Sequence, residues 1–541
     1  MIKLKEFLRK SWIWILAVIL VLAVILSSVE IYKEEVLNID PDVKYTEKKT
    51  LYFAAQRFDT LNPLVSQSED TYYLSKLIYD SLFDFDENLN VIPKLVDTYR
   101  VDTEKACVKI KLKKGIKWHN GGKLTASDVR FTVNAVKQAG SKSPYYEKCA
   151  KIMYVNVNGN NDLTIYFNNN YNCSLDMLTF PIVSSTGYSS PYQFASDTDK
   201  FKPNGTGMYK YSSYDYLKKL KLKPNEDYFN GTAEKKIQVN LLPNASLTSG
   251  MTEINEVTCY IDKDTDRRSI VKDKNLTMYD MVSNQLEFLI FNTKNPYWSD
   301  KQVRQAAAYG IDTEKILNNA YAGDAVQTDT IYYPNFLGVS DTSELYGYNP
   351  EKALSLLGKS GLEDKNGDGL FEDAYGKNVT VSILVNKKNA QRMTAAKLIS
   401  NNLETLGFKA NINALAPAEY KKAIASRQFD ILIAGYAMEE SYDLREFFNG
   451  KNAWGYYNAD LFTKSRELER LYDADTQKEK YSELKDALQD EMPYYALCYK
   501  KMGLIGISGF TAEKLPMFND IYKHCATWSW KVEVKQTENT K

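Results

Sequence analysis

Length, composition and charge exclude several classes of protein before any motif is considered. The chain has 541 residues, more than one hydrophobic core usually supports, so two or three lobes are expected. Its hydrophobic fraction of 44% and charged fraction of 26% are those of an ordinary globular protein. Lys+Arg and Asp+Glu both count 69, so the chain lacks the basic excess of a nucleic-acid-binding protein.

The N-terminal segment has the pattern of an uncleaved signal anchor. Lysines and an arginine within residues 3–10 precede an apolar run over residues 12–29, which is long enough to span a membrane as a helix. Positive charge before the run keeps that end in the cytoplasm. A cleaved signal peptide is the alternative, but the run ends without a clear small-x-small cleavage site. We predict a membrane-spanning helix within residues 1–30 (contact with the membrane through 11–29) and a polar tether over 31–49.

Apolar periodicity predicts alternating strands and helices along the rest of the chain. Predicted strands cover residues 51–56, 105–113, 152–157, 163–167, 217–223, 237–242, 286–292, 379–385, 410–414, 429–434 and 528–532. Predicted helices cover residues 69–81, 301–309, 351–357, 390–406, 418–426 and 481–490. The lysine-rich strand over 217–223 is expected to be an exposed edge. This alternation favours an α/β fold with a mixed or parallel sheet.

The cysteine and histidine content limits the chemistry that the chain can perform. With two histidines, His119 and His524, a histidine-based triad or a polyhistidine metal centre has few candidates. The sequence contains no GxSxG, HExxH or Walker motif, so we predict that the protein is not an enzyme and needs no cofactor. A carboxylate-pair glycosidase stays open. Free or partly paired thiols are predicted for the six cysteines, which are Cys107, Cys149, Cys173, Cys259, Cys498 and Cys525.

The segment over residues 364–369 (DKNGDG) begins like a calcium-binding loop. Such a loop needs a bidentate glutamate at its twelfth position, where this chain has Tyr375. We therefore predict a structural turn and no metal site.

The segment over residues 116–137 combines a tight turn with a helix start. Residues 120–122 (Asn-Gly-Gly) tolerate positive φ, and Thr125 with Asp128 has the spacing of a capping box. A helix is expected to follow and to end at Gly140.

The full motif is more specific, because Lys-Trp-His-x-Gly followed by Leu-Thr-Ala-x-Asp-Val-x-Phe-Thr resembles the signature of the large extracytoplasmic solute-binding proteins of peptide ABC transporters. Further segments resemble this family in the same order along nearly the whole chain outside the N-terminal segment. They are residues 61–63 (LNP), 78–83 (IYDSLF), 93–95 (PKL), 204–209 (NGTGMY), 225–229 (NEDYF), 291–293 (FNT), 300–306 (DKQVRQA) and 348–353 (YNPEKA).

The resemblance implies a two-lobed, periplasmic-binding-protein-like α/β fold (type II, cluster C) with an extra small domain. It places lobe I in residues 50–82, 201–285 and 505–533, the small domain in 83–200, and lobe II in 286–504. A disordered tail is expected over 534–541.

The resemblance also implies a ligand cleft between the lobes. In several peptide-binding members a carboxylate after a strand-Gly-Trp segment meets the peptide's N-terminal amine. Here Tyr436 takes the tryptophan position and Glu439 the aspartate position, with Glu440 and then Asp443 as weaker candidates. Asn292 and Tyr209 are further predicted lining residues. Trp118 and His119 are predicted to specify the fold.

The implied function is that of a receptor that captures oligopeptides outside the cytoplasmic membrane. A monomer would close around its ligand and deliver it to a permease with two membrane subunits and two ATPases. The location would be the cell surface of a Gram-positive bacterium, anchored by a single helix since no lipoprotein cysteine follows the apolar run. A receptor for a signalling peptide, or for a nickel chelate, a sugar or an opine, is the alternative.

Overall fold

The structure is a computed structural model that describes residues 45–169, 174–263, 267–328, 330–339, 346–373, 375–440, 443–470 and 473–533. Within these ranges, no helix is both long enough and apolar enough to cross a membrane. The predicted anchor, the tether up to residue 44, Cys173 and the tail after residue 533 lie outside the described residues.

The described strands and helices alternate much as predicted. The strands are β1 (Tyr45–Glu47), β2 (Thr50–Gln56), β3 (Phe83–Phe85), β4 (Val91–Pro93), β5 (Val96–Asp102), β6 (Cys107–Leu112), β7 (Ile152–Val157), β8 (Asp162–Phe167), β9 (Tyr209–Asp215), β10 (Lys219–Pro224), β11 (Lys236–Leu242), β12 (Cys259–Asp262), β13 (Thr277–Phe291), β14 (Ala325–Gln327), β15 (Thr380–Asn386), β16 (Lys409–Leu415), β17 (Ile431–Ala437), β18 (Tyr494–Gly506), β19 (Phe510–Thr511) and β20 (Ser529–Glu533). The α-helices are Glu69–Ile78, Ala126–Ala139, Tyr146–Ala150, Pro191–Ser196, Thr248–Glu253, Arg267–Asp273, Lys301–Gly310, Thr313–Ala320, Pro350–Lys359, Ala390–Thr405, Pro417–Ala425, Arg445–Phe448, Ala459–Leu468 and Ala474–Glu491.

Lobe I is built on a four-stranded sheet with the order β2-β11-β10-β9. β2 and β11 are parallel, and β10 runs antiparallel to both of its neighbours. β10 buries Leu220 and Leu222 and turns its lysines outward. The prediction of an exposed edge for this strand was wrong, because alternating lysines indicate a solvated face, which an internal strand of an antiparallel sheet also has.

The first and the last strands that the structure describes pair with each other and pack on lobe I. β20 pairs with β1 and β19, and Trp530 meets Tyr52 of β2 edge to face at 6.0 Å between ring centroids. The predicted return of the C-terminal strand to lobe I is thus confirmed. Residues 45–47 of the predicted tether belong to the folded body instead, because they form β1.

The small domain is an antiparallel sheet, β5-β6-β8-β7, that packs against the helix Ala126–Ala139. The helix begins where the capping residues predict: the Asp128 carboxylate accepts from the Thr125 N–H at 2.9 Å. It ends at Gly140, whose φ is 59°. Both predicted ends are confirmed.

Lobe II is built on the sheet β12-β18-β13-β17-β15-β16, with β14 added to β18. β15 is parallel to both β16 and β17, and the helices Ala390–Thr405 and Pro417–Ala425 connect these strands along the chain. The predicted α/β architecture with a mixed sheet is therefore confirmed in this lobe.

Two long strands join the lobes. The first half of β13 pairs with β18 beside β12, and the segment before β12 reaches lobe I through the Thr258 N–H, which donates to the Tyr52 carbonyl at 2.7 Å. The second half of β13 pairs with β17 inside lobe II. The register between β13 and β18 shifts between Val282 and Leu286, so a bulge at residues 283–285 separates the halves.

The small domain is fixed to lobe I by residues of the family-like motifs. We call this cluster the glycine junction (Asp80, His119, Gly205, Thr206 and Gly207). The His119 Nδ1 accepts from the Gly205 N–H at 3.3 Å, and its Nε2 donates to the Gly207 carbonyl at 2.9 Å. Burial lowers the pKa of His119 to about 4, so the ring is neutral at pH 7, as these two hydrogen bonds require.

Glycine is required in the junction because two backbone segments touch. A Cβ on Gly205 would lie 1.8 Å from the Ile78 carbonyl oxygen, and a Cβ on Gly207 would lie 2.5 Å from the Ile78 carbonyl carbon. The end of the helix Glu69–Ile78 therefore rests directly on this turn.

Five of the six cysteines are described. Cys107, Cys149, Cys259, Cys498 and Cys525 are all buried free thiols.

Candidate functional site

A cavity of about 720 Å³ lies where lobe I, the small domain and lobe II meet. Its volume is in the range of about 300–1,000 Å³ that ligand sites usually occupy. The wall includes Tyr72 and Tyr73 of lobe I, Tyr145 and Lys148 of the small domain, Ser283, Asn284, Gln285, Lys500 and Lys501 of the crossing strands, and Met438, Glu439 and Glu440 of lobe II. A second cavity of about 550 Å³ shares Glu69, Tyr73 and Lys263 with it and extends into lobe I.

The bulge between the lobes positions the acidic loop of the cavity. The Asn284 side-chain amide donates to the Met438 carbonyl at 2.8 Å, and the Asn284 carbonyl accepts from the Met438 N–H at 2.9 Å. Because Met438 is fixed in this way, Glu439 and Glu440 follow it at the joint between the lobes.

Glu440 bridges the cavity to lobe I. Its carboxylate accepts a short hydrogen bond from the Tyr72 hydroxyl and lies 3.9 Å from the Lys76 ammonium. Burial first, and then the charge of Glu440, raise the pKa of Tyr72, so the phenol stays protonated and donates. Glu440 is therefore already engaged within the protein.

Glu439 is exposed and differs from its neighbour in having no partner. Among the residues that the structure describes, it makes no hydrogen bond and no ion pair. A carboxylate in this state is available to a cationic group of a ligand.

The lysines of the cavity also differ in whether they form an ion pair within the protein. Lys263 pairs with Glu69 at 3.0 Å and Lys500 with Glu287 at 3.3 Å. Lys148 donates to the Thr179 hydroxyl at 2.9 Å and forms no ion pair with any described residue. Within the described part of the chain, one anion without a partner and one cation without an ion pair thus face the same space.

A buried ion pair stiffens the lobe II wall. Glu287 is 1% exposed, and its carboxylate accepts from Arg392 Nε at 2.7 Å and from Arg392 Nη2 at 2.9 Å. A Cβ on Gly435 would lie 1.9 Å from that Arg392 nitrogen, which explains the glycine before Tyr436. The same glutamate holds Lys500, so the cavity wall is anchored in the core of lobe II.

Comparison with known proteins identifies the family of this chain. Residues 90–455 match the sequence profile of the bacterial extracellular solute-binding proteins, family 5, in its middle region. The chain belongs to this family. Membership in a family of solute-binding proteins confirms the predicted binding role outside the cytoplasm, and with it the prediction that the protein is not an enzyme.

Individual relatives of this solute-binding protein agree with the assignment. The oligopeptide-binding protein AppA of Bacillus subtilis is 24% identical over 520 residues, which cover 91% of this chain and 94% of that protein. The unliganded open form of the periplasmic murein tripeptide-binding protein MppA is 14% identical, covers 91% of this chain and 99% of its own, and has a TM-score of 0.74. NikZ of Campylobacter jejuni, solved with Ni(L-His), is 22% identical, covers 89% and 99%, and has a TM-score of 0.61. The predicted two-lobed fold is confirmed.

The predicted site residues fall into two groups. Glu439 and Glu440 line the cavity, and Tyr436 lies one residue before it, where its ring meets Phe447 at 5.0 Å in the lobe II core. Asn292 lies at the far end of β13 and donates to the Phe429 carbonyl at 2.8 Å. Tyr209 is 0% exposed within the lobe I core. The structure does not bring Asn292 or Tyr209 to the cavity.

Several cavity residues were missed in the sequence. Tyr72, Tyr145, Lys148, Asn284 and Lys500 belong to no motif that the sequence displays. The bulge is invisible because the predicted strand begins only at Leu286, where the sequence becomes continuously apolar, whereas β13 begins at Thr277. Only a break in the pairing of two strands reveals that residues 283–285 form a joint.

A second group of acids lies between the small domain and lobe II. We call Asp176, Asp443 and Glu469 the rim carboxylates. Asp176 and Glu469 are 5% and 3% exposed, and each has one oxygen without a hydrogen-bond partner. Asp443 pairs with Arg445 at 2.8 Å, so this weaker candidate for the ligand site is already engaged within the protein.

The rim carboxylates repel one another. Burial raises the pKa of Asp176 to about 6, opposed by Lys148. Burial, followed by the charges of Asp443 and Asp176, raises the pKa of Glu469.

Proposed function

We propose that this solute-binding protein captures oligopeptides outside the cytoplasmic membrane and delivers them to an ABC permease with two membrane subunits and two ATPases. The observation that carries the proposal is the carboxylate of Glu439, which has no partner among the described residues and lies in a cavity between two lobes. The names of the oligopeptide-binding and murein tripeptide-binding relatives support it.

The peptide's N-terminal ammonium would pair with Glu439. Such a charge-assisted pair strengthens when lobe closure removes water from the cavity. Lys148 would meet the opposite charge, the C-terminal carboxylate of a short peptide. The peptide backbone would be held in an extended form by main-chain groups, which leaves its side chains free to vary. Tyr436 lies behind the acidic loop as a packing residue.

Closure would take place at the bulge over residues 283–285. A register break between two long strands is a natural place for lobes to rotate, and Tyr72 with Glu440 then forms the contact across the closed cleft. The closed form would be the one that the permease recognises.

Attachment to the membrane would rest on residues 11–29 as an uncleaved signal anchor, with the monomeric body at the cell surface. Intact-mass analysis of the membrane-bound protein is expected to show residues 1–30 retained. A mature N-terminus near residue 29 would contradict the anchor.

Peptide binding can be tested with Glu439→Gln. We expect this variant to bind peptides with a free N-terminus about 10–100-fold more weakly, since a hydrogen bond to a charged group contributes about 1.5–3 kcal/mol. Isothermal titration calorimetry with a peptide identified by native mass spectrometry of the purified protein gives the affinity. The exposed Glu419→Gln, outside the cavity, is the matched control.

N-acetylated peptides complete the test. They should bind the unsubstituted protein weakly and show no further loss with Glu439→Gln, because the ammonium that Glu439 recognises is gone. Equal losses for free and acetylated peptides would remove Glu439 from the ammonium site. A protein that binds no peptide at all, but binds a metal chelate or a sugar, would refute the peptide proposal.

A further inference from the structure

The loop over residues 364–373 of lobe II brings three carboxylates together. One ligand oxygen from each of Asp364, Asp368 and Glu372 lies within 4.8 Å of the others. No lysine or arginine forms an ion pair with any of the three among the residues that the structure describes. A bound cation would offset the repulsion between like charges at this separation.

Glu372 supplies an observation that the sequence could not. Its side chain is 3% exposed, and its Oε1 is buried without a hydrogen-bond partner, while Oε2 accepts from the Lys365 N–H at 2.7 Å. A buried carboxylate oxygen with no donor is expensive to maintain, and coordination of a cation would satisfy it.

The backbone of the loop matches the first nine positions of a calcium-binding loop. Counting Asp364 as the first position, Asn366 and Asp368 are the third and fifth, and Gly369 is the sixth. Gly369 has the positive φ of 88° that the sharp turn needs, and its N–H donates to Asp364 at 2.9 Å. The carbonyl of residue 370 and the carboxylate of Glu372 hold the seventh and ninth positions.

The loop is held in place by the core of lobe II. The Phe371 N–H donates to the Gly407 carbonyl at 2.7 Å, and the Phe371 ring meets Phe408 at 5.3 Å. Glu372 therefore already lies in a fixed position beside the two aspartates, so cation binding would not have to order it. Tyr375, at the twelfth position, is 89% exposed and takes no part.

We propose that Asp364, Asp368 and Glu372 form a calcium site, with Asn366 and the carbonyl of residue 370 as further oxygen ligands. Glu372 at the ninth position takes the place of the glutamate that the twelfth position lacks. This differs from the structural turn that the sequence predicts. Oxygen ligands of this kind suit Ca²⁺, and with one strong position missing, we expect an affinity on the order of 10⁻⁴–10⁻³ M, as in extracellular modules.

The test is a calorimetric titration of the purified full-length protein with CaCl₂ after treatment with a chelator and its removal. We expect one Ca²⁺ per chain, and a rise in the melting temperature of a few degrees at about 10 mM CaCl₂. Asp368→Asn and Glu372→Gln should each weaken binding by at least about tenfold. Asp368 is exposed, so its variant tests the site even if the buried Glu372 variant folds poorly.

Asp373→Asn is the matched control. Its carboxylate accepts from the N–H groups of Tyr375 and Lys377 at 2.8 and 2.9 Å and lies outside the cluster. This variant should retain the calcium affinity. No calcium-dependent change in the unsubstituted protein, an equal response to MgCl₂, or an equal loss in Asp373→Asn would overturn the proposal.

Discussion

The small domain contacts lobe I and lobe II in different ways, and the difference indicates which of the two contacts can separate. At the glycine junction with lobe I, the His119 ring of the small domain bonds to the backbone of Gly205 and Gly207 at 3.3 and 2.9 Å, and Lys94 lies 3.5 Å from Asp80. Within lobe I, Asp80 is 1% exposed and accepts from the hydroxyls of Thr206 and Tyr228 at 2.7 and 3.1 Å. At the rim facing lobe II, Asp176 and Glu469 are also buried, and each has one oxygen without a hydrogen-bond partner. The Arg445 guanidinium lies 3.9 Å from that oxygen of Glu469. These groups of the first contact are paired, whereas the carboxylates of the second repel one another.

This difference bears on how the cleft can open. A contact whose polar groups are all paired loses hydrogen bonds when it separates, whereas a contact between buried carboxylates gains hydration. We therefore infer that the small domain moves together with lobe I, and that separation from lobe II occurs at the rim and at the Tyr72–Glu440 bond. The bulge over residues 283–285 would then be a part of the crossing strands that changes.

The largest effect is expected from Gly207→Ala in the junction. The added Cβ would lie 2.5 Å from the Ile78 carbonyl carbon and 2.6 Å from the Leu77 carbonyl oxygen, and backbone cannot yield as a side chain can. We expect loss of the folded protein or a drop in the melting temperature of many degrees, measured by circular dichroism. Gly358→Ala is the control: nothing lies within 4 Å of its Cβ, so alanine there should be neutral or stabilising by up to about 1 kcal/mol. Equal behaviour of the two variants would contradict the close packing.

A smaller loss is expected from Asp80→Ala. Two buried hydroxyls, those of Thr206 and Tyr228, would lose their acceptor, at about 1–3 kcal/mol for each. Lys94, 3.5 Å from Asp80, would keep its pair with Asp84 at 3.0 Å. Urea unfolding should show a lower midpoint, whereas the exposed Asp97→Ala should leave it unchanged. A midpoint that does not move would mean that the junction is not held by this carboxylate.

The same comparison explains what the sequence could predict. The junction is encoded by short motifs, because a glycine that admits a helix end tolerates few replacements, and so does a histidine that bonds both an N–H and a carbonyl of the same turn. The capped helix Ala126–Ala139 and the parallel strands of lobe II follow from local patterns and were predicted. The cavity depends instead on a register shift and on single residues from three separate regions, such as Tyr72, Lys148 and Asn284. Only Glu439 and Glu440 were placed in it beforehand, through the family's strand-glycine segment.

The smallest effect is expected from Glu469→Gln at the rim, and this effect is also the most diagnostic. The folded-state pKa of Glu469 is raised above its ordinary value of 4.5, so the folded protein holds this proton more tightly than the unfolded chain does. Stability must then fall as the pH rises above that value, and Asp176 adds a similar loss between 3.8 and about 6. Lys148, Lys151 and Arg445 face these acids and limit the loss.

Glutamine carries no charge at any pH and removes the Glu469 part of this loss. The variant should match the unsubstituted protein near pH 5 and exceed it by on the order of 1–3 kcal/mol near pH 8, measured by urea unfolding across the range. Glu446→Gln is the control, an acid of lobe II outside the rim whose pKa burial also raises, so it should show a smaller gain. Parallel stability curves for Glu469→Gln and the unsubstituted protein would mean that the rim is hydrated in solution and that the lobes rest apart there. A gap that widens with pH would mean that the ligand-free protein already holds its small domain against lobe II.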